Sequence, residues 1–281
     1  MLNVLIVSVA YNPPTTILKN LEADYYPHLV IDNSEQETVW LKEYCLLHDH
    51  IYQWMGDNVG IAKALNVGAS YAMQHGFDYI VTMDQDSELT NQLLQELTSF
   101  IIDYGVCNDV AIFSPRHKIG NNSIEYNLAI EDNILLPMTS GNFVNLKIWY
   151  KLLGFDENLF IDAVDIDYYA KAKISGYRIL TLNYVVMPHC MGTHSGVMWI
   201  FKYGFDVWNH SALRKYYIMR NYNYICKKYL SKLPELYFFK KIIIKMPISV
   251  VLFEKGKFKK LYYLLQGYID FRLGVMGKKK W

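Results

Sequence analysis

Short apolar runs alternate with helical patterns along the first half of the chain, and this alternation restricts the fold more than any other feature. β-Branched runs that end in polar or turn residues occupy positions 2–9, 28–32, 78–83 and 109–114. Bounded runs of this kind predict strands that are buried on both faces. Strands that alternate with helices predict βαβ units, and therefore an α/β fold with a mostly parallel sheet flanked by helices.

Two helices are predicted between these strands. Residues 60–75 are small and apolar at helical spacing. Thr90 can cap a second helix, in which apolar residues recur every three or four positions from Leu93 to Tyr104.

Polar side chains follow three of the predicted strands. Ligands of α/β sheets bind beyond the carboxyl ends of the strands, so these side chains predict a nucleotide-type site. Two carboxylates one residue apart can face one hard cation, which would bridge phosphates; the alternative for this pair is a solvated turn. The sequence contains neither GxGxxG nor GxxxxGK[ST], which disfavours a Rossmann dehydrogenase and a P-loop NTPase. The polar residues are Tyr11, Asn12, Asp32, Asn33, Ser34, Asp84, Gln85 and Asp86.

Eight segments, which together span about three-quarters of the chain, carry a family resemblance. They are VAYNPP at 9–14, IDNS at 31–34, GDNVGIAKALNVG at 56–68, MDQDS at 83–87, TSGNF at 139–143, FDENLFIDAVDIDYYAKAKISGY at 155–177, PHCMG at 188–192 and RKYYIMRN at 214–221. In this order they resemble the family 2 inverting glycosyltransferases of the GT-A fold, and within that group the bacterial rhamnosyltransferases.

The resemblance implies a nucleotide-sugar donor and a divalent cation. Asp32 would accept a hydrogen bond from a pyrimidine N–H, and Asn58 and Lys63 would contact base, ribose or phosphate. Mg²⁺ or Mn²⁺ would be held by Asp84, Asp86 and His189, with His194 as the rival of His189. The donor-binding residues implied are Tyr11, Asn12, Asp32, Asn58, Gly60, Lys63, Asp84 and Gln85.

The resemblance also implies that Asp165 is the general base. Val164 stands where the family usually has a first acid, so Asp162 and Asp167 stay candidates to share the role. Inverting transfer needs one carboxylate that takes the acceptor proton as the hydroxyl attacks C1 opposite the leaving diphosphate. A helix N-terminus favours an ionised carboxylate. The alternative for Asp165 and Asp167 is a capping role.

The last quarter of the chain is basic and aromatic. Residues 216–281 contain 15 Lys and Arg, three acids and nine Tyr, a net charge of +12, whereas residues 1–215 carry −11. This division predicts two parts, 1–215 and 216–281, with different partners. The resemblance implies that the first part is a GT-A glycosyltransferase domain, and the basic, aromatic composition predicts that the second is a helical region that lies on an anionic membrane surface. Packing of this region on the main domain is the alternative, and nucleic acid is disfavoured as a partner. The side chains predicted to meet lipid are Phe238, Phe239, residues 242–244, Lys240, Lys241, Lys245, Lys257, Lys259 and Lys260.

The composition also indicates where in the cell the protein is expected. Four widely spaced cysteines without a CxxC pair indicate free thiols of a cytosolic protein. No uncharged apolar run of about 18 residues occurs, so no transmembrane helix is expected. We therefore expect a cytoplasmic protein, peripheral on the inner face of the cell membrane.

These features predict an inverting glycosyltransferase of bacterial surface polysaccharide biosynthesis. It would transfer a sugar, L-rhamnose from dTDP-rhamnose, to a lipid-linked or growing saccharide acceptor. The alternatives are another donor (UDP-galactofuranose, UDP-glucose or UDP-galactose) or a catalytically idle nucleotide-sugar-binding protein. The presence of the whole set of Asp84, Asp86, Asp165 and His189 favours an enzyme. The sequence does not distinguish a monomer from a homo-oligomer.

Overall fold

A mixed, mostly parallel sheet organises the first of two compact units, which comprises Met1–Glu157 and Tyr168–Cys190. The computed structural model describes residues 2–105, 108–119, 128–135, 137–189, 194–200 and 203–280. Within these residues, eight strands form the sheet: β1 (Val4–Ala10), β2 (His28–Asp32), β3 (Ile51–Trp54), β4 (Tyr79–Asp84), β5 (Val110–Ile119), β6 (Ile130–Asp132), β7 (Asn142–Asn145) and β8 (Arg178–His189).

The strand order brings the predicted polar residues to one edge of the sheet. The order is β3-β2-β1-β4-β7-β5-β8-β6, and β1 pairs in parallel with both β2 and β4. Ala10 lies opposite Asp32, and Val9 lies opposite Asp84. The carboxyl ends of the three strands are therefore level, which is what the nucleotide-type site requires.

The two helices predicted between the strands, α3 (Ile61–Gln74) and α4 (Asn91–Tyr104), begin and end close to the predicted positions. Thr90 caps α4 as predicted, since its hydroxyl accepts a hydrogen bond from Leu93 N at 3.2 Å. The helices are α1 (Leu18–Leu21), α2 (Val39–Leu47), α3 (Ile61–Gln74), α4 (Asn91–Tyr104), α5 (Leu146–Lys151), α6 (Val164–Ile174), α7 (Ala212–Tyr229), α8 (Tyr237–Phe253) and α9 (Lys257–Leu273).

The core of the first unit lies between the sheet and its helices. Leu93, Leu97 and Ile101 on α4 pack with buried side chains of β1, β4, β5 and β7. On α3, Gly68 faces β1 so closely that an added Cβ would lie 2.4 Å from Val7 Cγ1. A glycine at this position is therefore needed for α3 to approach the sheet.

The second compact unit comprises Asn158–Asp167 and Met191–Trp281. It contains α7, α8 and α9 and an antiparallel pair of strands, β9 (His194–Ile200) and β10 (Tyr203–Trp208). The boundaries of these two units do not fall between residues 215 and 216. The division into 1–215 and 216–281 was drawn from charge and not from packing, and it stays a prediction. None of the described helices is long and apolar enough to cross a membrane. Cys45 and Cys226 are free thiols, and Cys107 and Cys190 lie outside the described residues.

A buried charge cluster joins the helices of the second unit. Glu254 is 3% exposed, and its two carboxylate oxygens bind Lys215 Nζ at 2.7 Å and Lys260 Nζ at 2.8 Å. Burial lowers the pKa of Lys215, although its hydrogen bond to Glu254 and the negative charge of that carboxylate oppose this effect. The prediction that Lys260 faces lipid is therefore wrong, because its ammonium is bound inside the unit.

Removal of this carboxylate should destabilise the protein strongly. Glu254→Ala leaves two buried ammonium groups without their counter-charge, and we expect the free energy of unfolding to fall by about 3–5 kcal/mol. Urea denaturation followed by circular dichroism measures this loss. Glu235→Ala is the matched control, since Glu235 is an exposed acid of the same region, and a change within about 0.5 kcal/mol is expected. Equal effects of the two substitutions would contradict the structural role of the cluster.

Candidate active site

The carboxylate of Asp32 closes the end of β2 and anchors the segment that follows. Asp32 is fully buried, and its Oδ1 accepts a hydrogen bond from Ser34 N at 3.1 Å. Its Oδ2 accepts from Thr38 N at 2.8 Å and from the Tyr52 hydroxyl at 2.6 Å. Burial raises the pKa of this carboxyl, but hydrogen bonds from Ser34, Tyr52 and Thr38 outweigh it and lower the pKa below its usual value. Three of the about four acceptor positions of the Asp32 carboxylate are thus filled. Its contact with the pyrimidine of a nucleotide stays a prediction.

Asn33 connects the end of β2 to the loop before α3. Asn33 Oδ1 accepts a hydrogen bond from Val59 N at 2.8 Å, and Asn33 Nδ2 donates to Asn58 Oδ1 at 3.2 Å. The same oxygen of Asn58 accepts from Gly60 N at 3.1 Å. Gly60 has a φ of 89°, in the left-handed region that favours glycine. The predicted residues Asn58 and Gly60 therefore shape this loop, while their contact with a nucleotide stays a prediction.

The turn after β1 is hydrogen-bonded to residues that follow both neighbouring strands, β2 and β4. Tyr11 N donates to Gln85 Oε1 at 2.7 Å, and Asn12 N donates to Ser34 Oγ at 2.8 Å. The ring of Tyr11 is 43% exposed, and its hydroxyl donates to Glu35 at 3.3 Å. The structure thus links Tyr11 directly to Gln85 after β4, and it links Asn12 to Asp32 at the end of β2 through Ser34.

Two further residues of α3 differ in their surroundings. Lys63 lies in the first turn with an exposed side chain, and in the described part of the chain no hydrogen bond or ion pair is found for it. Asn66 Nδ2 donates to Phe155 O at 2.9 Å, and Asn66 Oδ1 accepts from Phe155 N at 2.8 Å. Asn66 therefore clamps the backbone at the start of the 155–177 segment, a structural role.

Asp84 is positioned by a serine that sequence reasoning did not single out. Ser140 Oγ donates to Asp84 Oδ2 at 2.7 Å, and Asp84 N donates to Ser140 Oγ at 3.1 Å. Ser140 is fully buried, whereas Asp86 lies in the exposed turn after β4. The only sequence signal for Ser140 is its place in the TSGNF segment.

The two aspartates fit a divalent cation by their chemistry. Carboxylate oxygens are the ligands that Mg²⁺ and Mn²⁺ prefer. Among the described side chains, which include Asp84 and Asp86, no group of three or more His, Cys, Asp or Glu that could hold a metal is present. His189 ends β8, but its side chain lies outside the described residues, as does that of His194. The role of His189 as third ligand therefore stays a prediction.

In the second unit, the turn before α6 has a backbone that few residues adopt. Asp162 and Ala163 have φ values of 63° and 69°, a conformation that costs about 1–3 kcal/mol at each non-glycine residue. Asn221 on α7 is fully buried, and its Nδ2 donates to Ile161 O at 2.7 Å and to Asp162 O at 3.0 Å. The turn that leads into the predicted base is therefore held by Asn221, another residue that sequence reasoning did not assign.

Two of the three aspartates of this segment are bound by basic side chains. Asp162 Oδ1 accepts from Arg214 Nη2 at 3.1 Å, and burial raises the pKa of Asp162 although Arg214 opposes this effect. Asp167 is fully buried, and its Oδ1 accepts from Lys228 Nζ and from the Tyr229 hydroxyl, both at 2.8 Å. These two carboxylates hold the segment in place.

Asp165 differs from both. It is the second residue of α6 and is half-buried, and its Oδ1 accepts a hydrogen bond from Ile166 N at 2.8 Å. Burial raises the pKa of the Tyr222 phenol, and the charges of Asp162 and Asp165 raise it further. A carboxylate in the first turn of a helix is stabilised in its ionised form. The role of Asp165 as general base stays a prediction.

Comparison with known proteins agrees with this geometry. The model of the family described as "Glycosyl transferase family 2" matches residues 6–159, more than half of the chain. The dTDP-rhamnosyl transferase RfbF of Shigella flexneri is 24% identical over 296 residues, which cover 98% of this chain and 96% of RfbF.

Two solved structures show the same fold at low identity. S. aureus TarS 1-349 in complex with UDP-GlcNAc has a TM-score of 0.59 at 16% identity, covering 98% of this chain and 82% of TarS 1-349. GalNAc-T7 with UDP, GalNAc and Mn²⁺ has a TM-score of 0.60 at 14% identity, covering 98% of this chain and 56% of GalNAc-T7. These likenesses confirm the predicted GT-A fold.

Proposed function

This chain belongs to glycosyl transferase family 2, and we propose that it transfers L-rhamnose from dTDP-rhamnose, with inversion at C1, to a saccharide acceptor. That it is a nucleotide-sugar glycosyltransferase follows from its family. The choice of donor is carried by one observation: the similarity to a dTDP-rhamnosyl transferase extends over nearly the full length of both chains. The acceptor is a lipid-linked or growing saccharide of bacterial surface polysaccharide biosynthesis.

The donor nucleotide binds at the carboxyl ends of β1, β2 and β4. Tyr11 offers an exposed aromatic ring for the base, and the buried, ionised Asp32 keeps the loop after β2 in place for it. Asn58 and Gly60 shape the loop that approaches the ribose and phosphates, and Lys63 brings a positive charge to the same helix terminus.

Asp165 is the general base of the transfer. The acceptor hydroxyl oxygen attacks C1 of the sugar, and its proton passes to a carboxylate oxygen of Asp165. The new C1–O bond forms as the bond between C1 and the phosphate oxygen breaks, and the electron pair leaves with the nucleoside diphosphate. Attack from the face opposite the leaving group inverts the configuration at C1.

Asp84 and Asp86, with His189 as the third ligand, would hold Mg²⁺ or Mn²⁺. When bound, such an ion neutralises the charge that develops on the leaving diphosphate. Ser140 orients the Asp84 carboxylate by its hydrogen bond of 2.7 Å. The support is the chemistry of the two carboxylates in the turn after β4, together with the fold.

We also propose that the enzyme works on the cytoplasmic face of the cell membrane, as a peripheral protein. A lipid-linked acceptor lies at this surface, and the net charge of +12 in residues 216–281 would attract its anionic lipids.

A donor screen tests the proposed specificity. Purified protein would be titrated calorimetrically with dTDP-rhamnose, UDP-galactofuranose, UDP-glucose and UDP-galactose, and slow donor hydrolysis would be followed by NMR. We expect dTDP-rhamnose to bind about tenfold or more tightly than the UDP-sugars and to be hydrolysed fastest, because a site built for one sugar and base leaves polar groups unpaired with another. Preference for a UDP-sugar would overturn the donor, and binding without any turnover would indicate an idle binding protein.

A further inference from the structure

We infer that the outward sides of α8 and α9 form the surface that binds anionic lipid. This assignment rests on the proposed membrane attachment and does not depend on which sugar is transferred. The outer α8–α9 surface comprises the exposed side chains of this helix pair. They are Tyr237, Phe238, Lys240, Lys241, Ile244, Lys245, Ile248, Val251, Leu252, Lys257, Phe258, Lys259, Tyr262, Leu265, Tyr268, Ile269, Arg272 and Leu273.

The exposed apolar side chains follow helical spacing. On α9, exposed residues recur at Phe258, Tyr262, Leu265 and Ile269, which are spaced by four, three and four residues. Phe258 is 92% exposed. Residues at this spacing share one side of a helix, so α9 presents an apolar stripe to its surroundings. On α8, exposed apolar residues recur at Tyr237, Ile244, Ile248 and Val251, which are spaced by seven, four and three residues.

The opposite sides of both helices are already packed. Met246 and Val250 on α8 and Leu264 on α9 belong to a buried cluster with residues of α7. At Gly267, α9 approaches α7 so closely that an added Cβ would lie 2.5 Å from Tyr216 O. Each helix therefore has a buried side within its own unit and an exposed side that carries apolar residues. Phe239, predicted to contact lipid, lies on the buried side.

Charge on the outer α8–α9 surface is of one sign. From 237 to 275 the chain contains two acids, Glu254 and Asp270, and both are buried. Glu254 binds Lys215 and Lys260, and Asp270 Oδ2 binds Lys279 Nζ at 2.6 Å. The acids are thus neutralised inside the unit, while the exposed charges are lysines and one arginine. This separation is what makes the exposed side uniformly basic.

An apolar stripe flanked by basic side chains matches an anionic membrane surface. Aliphatic and aromatic side chains enter the boundary between headgroups and acyl chains, and lysines reach lipid phosphates with their ammonium groups. A second copy of the chain fits less well, because a two-fold contact would oppose like charges. Nucleic acid would pair with the lysines but would leave Ile244, Leu265 and Leu273 in water.

Vesicle flotation of the full chain tests the inference. Wild-type protein should float with phosphatidylcholine/phosphatidylglycerol vesicles, bind pure phosphatidylcholine far less, and be released as salt rises past ~0.15 M. Replacing Lys240, Lys241, Lys257 and Lys259 by Gln should reduce binding to anionic vesicles about 100-fold, because each lysine near the surface contributes to binding. The control replaces the exposed Lys19, Lys118, Lys147 and Lys151 of the first unit by Gln, and its binding should equal that of the wild type.

Two further measurements separate the rival outcomes. Phe258→Ser should weaken binding to anionic vesicles at low salt, where the wild type is bound, because it removes a 92% exposed apolar side chain from the stripe on α9. The four-lysine variant should keep its transfer activity on a water-soluble acceptor. If the wild type binds vesicles but shows no transfer, the proposed activity is wrong and the assignment of the lipid-binding surface is kept. Equal vesicle binding by the α8–α9 variant and the first-unit control would overturn the lipid surface. A dimer that is seen by light scattering and dissociated by Phe258→Ser would overturn it as well. So would binding of RNA in place of vesicles.

Discussion

Asp165→Asn is expected to reduce the turnover number by about 10²–10⁴, the range for loss of a general base. The substitution is nearly isosteric and keeps an oxygen that can accept the hydrogen bond from Ile166 N. It removes the carboxylate that takes the acceptor proton. Because the donor site at the strand ends is unchanged, dTDP-rhamnose should bind within a few-fold of its wild-type affinity. Steady-state kinetics and calorimetric titration of the same preparation measure the two quantities.

Asp167→Asn is the comparison that separates catalysis from structure. Asp167 is fully buried and binds Lys228 and Tyr229, so its substitution should lower stability rather than act on turnover alone. Denaturant unfolding of both variants shows which quantity each one changes. If Asp165→Asn stayed active while Asp162→Asn or Asp167→Asn lost transfer in a folded protein, the base would have to be reassigned within this segment.

Asp84→Ala is expected to reduce the rate of transfer about 1000-fold or more. This factor corresponds to the loss of several kcal/mol of stabilisation of the leaving diphosphate. The substitution removes an anionic ligand of the proposed cation and the partner of the Ser140 hydroxyl. Binding of dTDP in the presence of Mn²⁺ should weaken together with transfer, and EDTA should inhibit the wild type. Calorimetry with and without the metal measures the first effect, and a transfer assay measures the second.

Ser140→Ala serves as the graded control for Asp84. It keeps both carboxylates and removes the hydroxyl that donates to Asp84 Oδ2 and accepts from Asp84 N and Ser87 Oγ. Because the Asp84 carboxylate stays present but is less well oriented, the loss of transfer should be about 10–100-fold. Full turnover of Asp84→Ala, or wild-type activity that EDTA leaves unchanged, would refute the metal site while leaving the base assignment intact.

The sheet was predictable where a strand is a buried, β-branched run, and poorly predictable where a strand is exposed, short or polar. β2 has the predicted bounds, 28–32, because all five residues are buried and the run is β-branched. β3 was not predicted, since Ile51–Trp54 lies at the edge of the sheet with two exposed residues and has no apolar run. The antiparallel β7 is four residues long and contains two asparagines, so its pattern does not stand out either.

The site was predictable by residue type but not by contact. The polar residues at the strand ends were identified because chain position alone places them at one edge of the sheet. Their partners are distant in sequence: Tyr52 reaches Asp32 across 20 residues, and Ser140 reaches Asp84 across 56. Lys260 resembles its exposed neighbours Lys257 and Lys259 in the sequence, and only the packing of α9 shows that it is bound to Glu254. Such pairings depend on the tertiary fold.

The configuration of the product tests the account most directly. Wild-type protein would be incubated with dTDP-rhamnose and a soluble saccharide acceptor, and the new glycosidic linkage would be analysed by NMR. A single carboxylate base and direct displacement of the diphosphate predict a rhamnoside whose C1 configuration is opposite to that of the donor. A product with the donor's own configuration would contradict the mechanism assigned to Asp165.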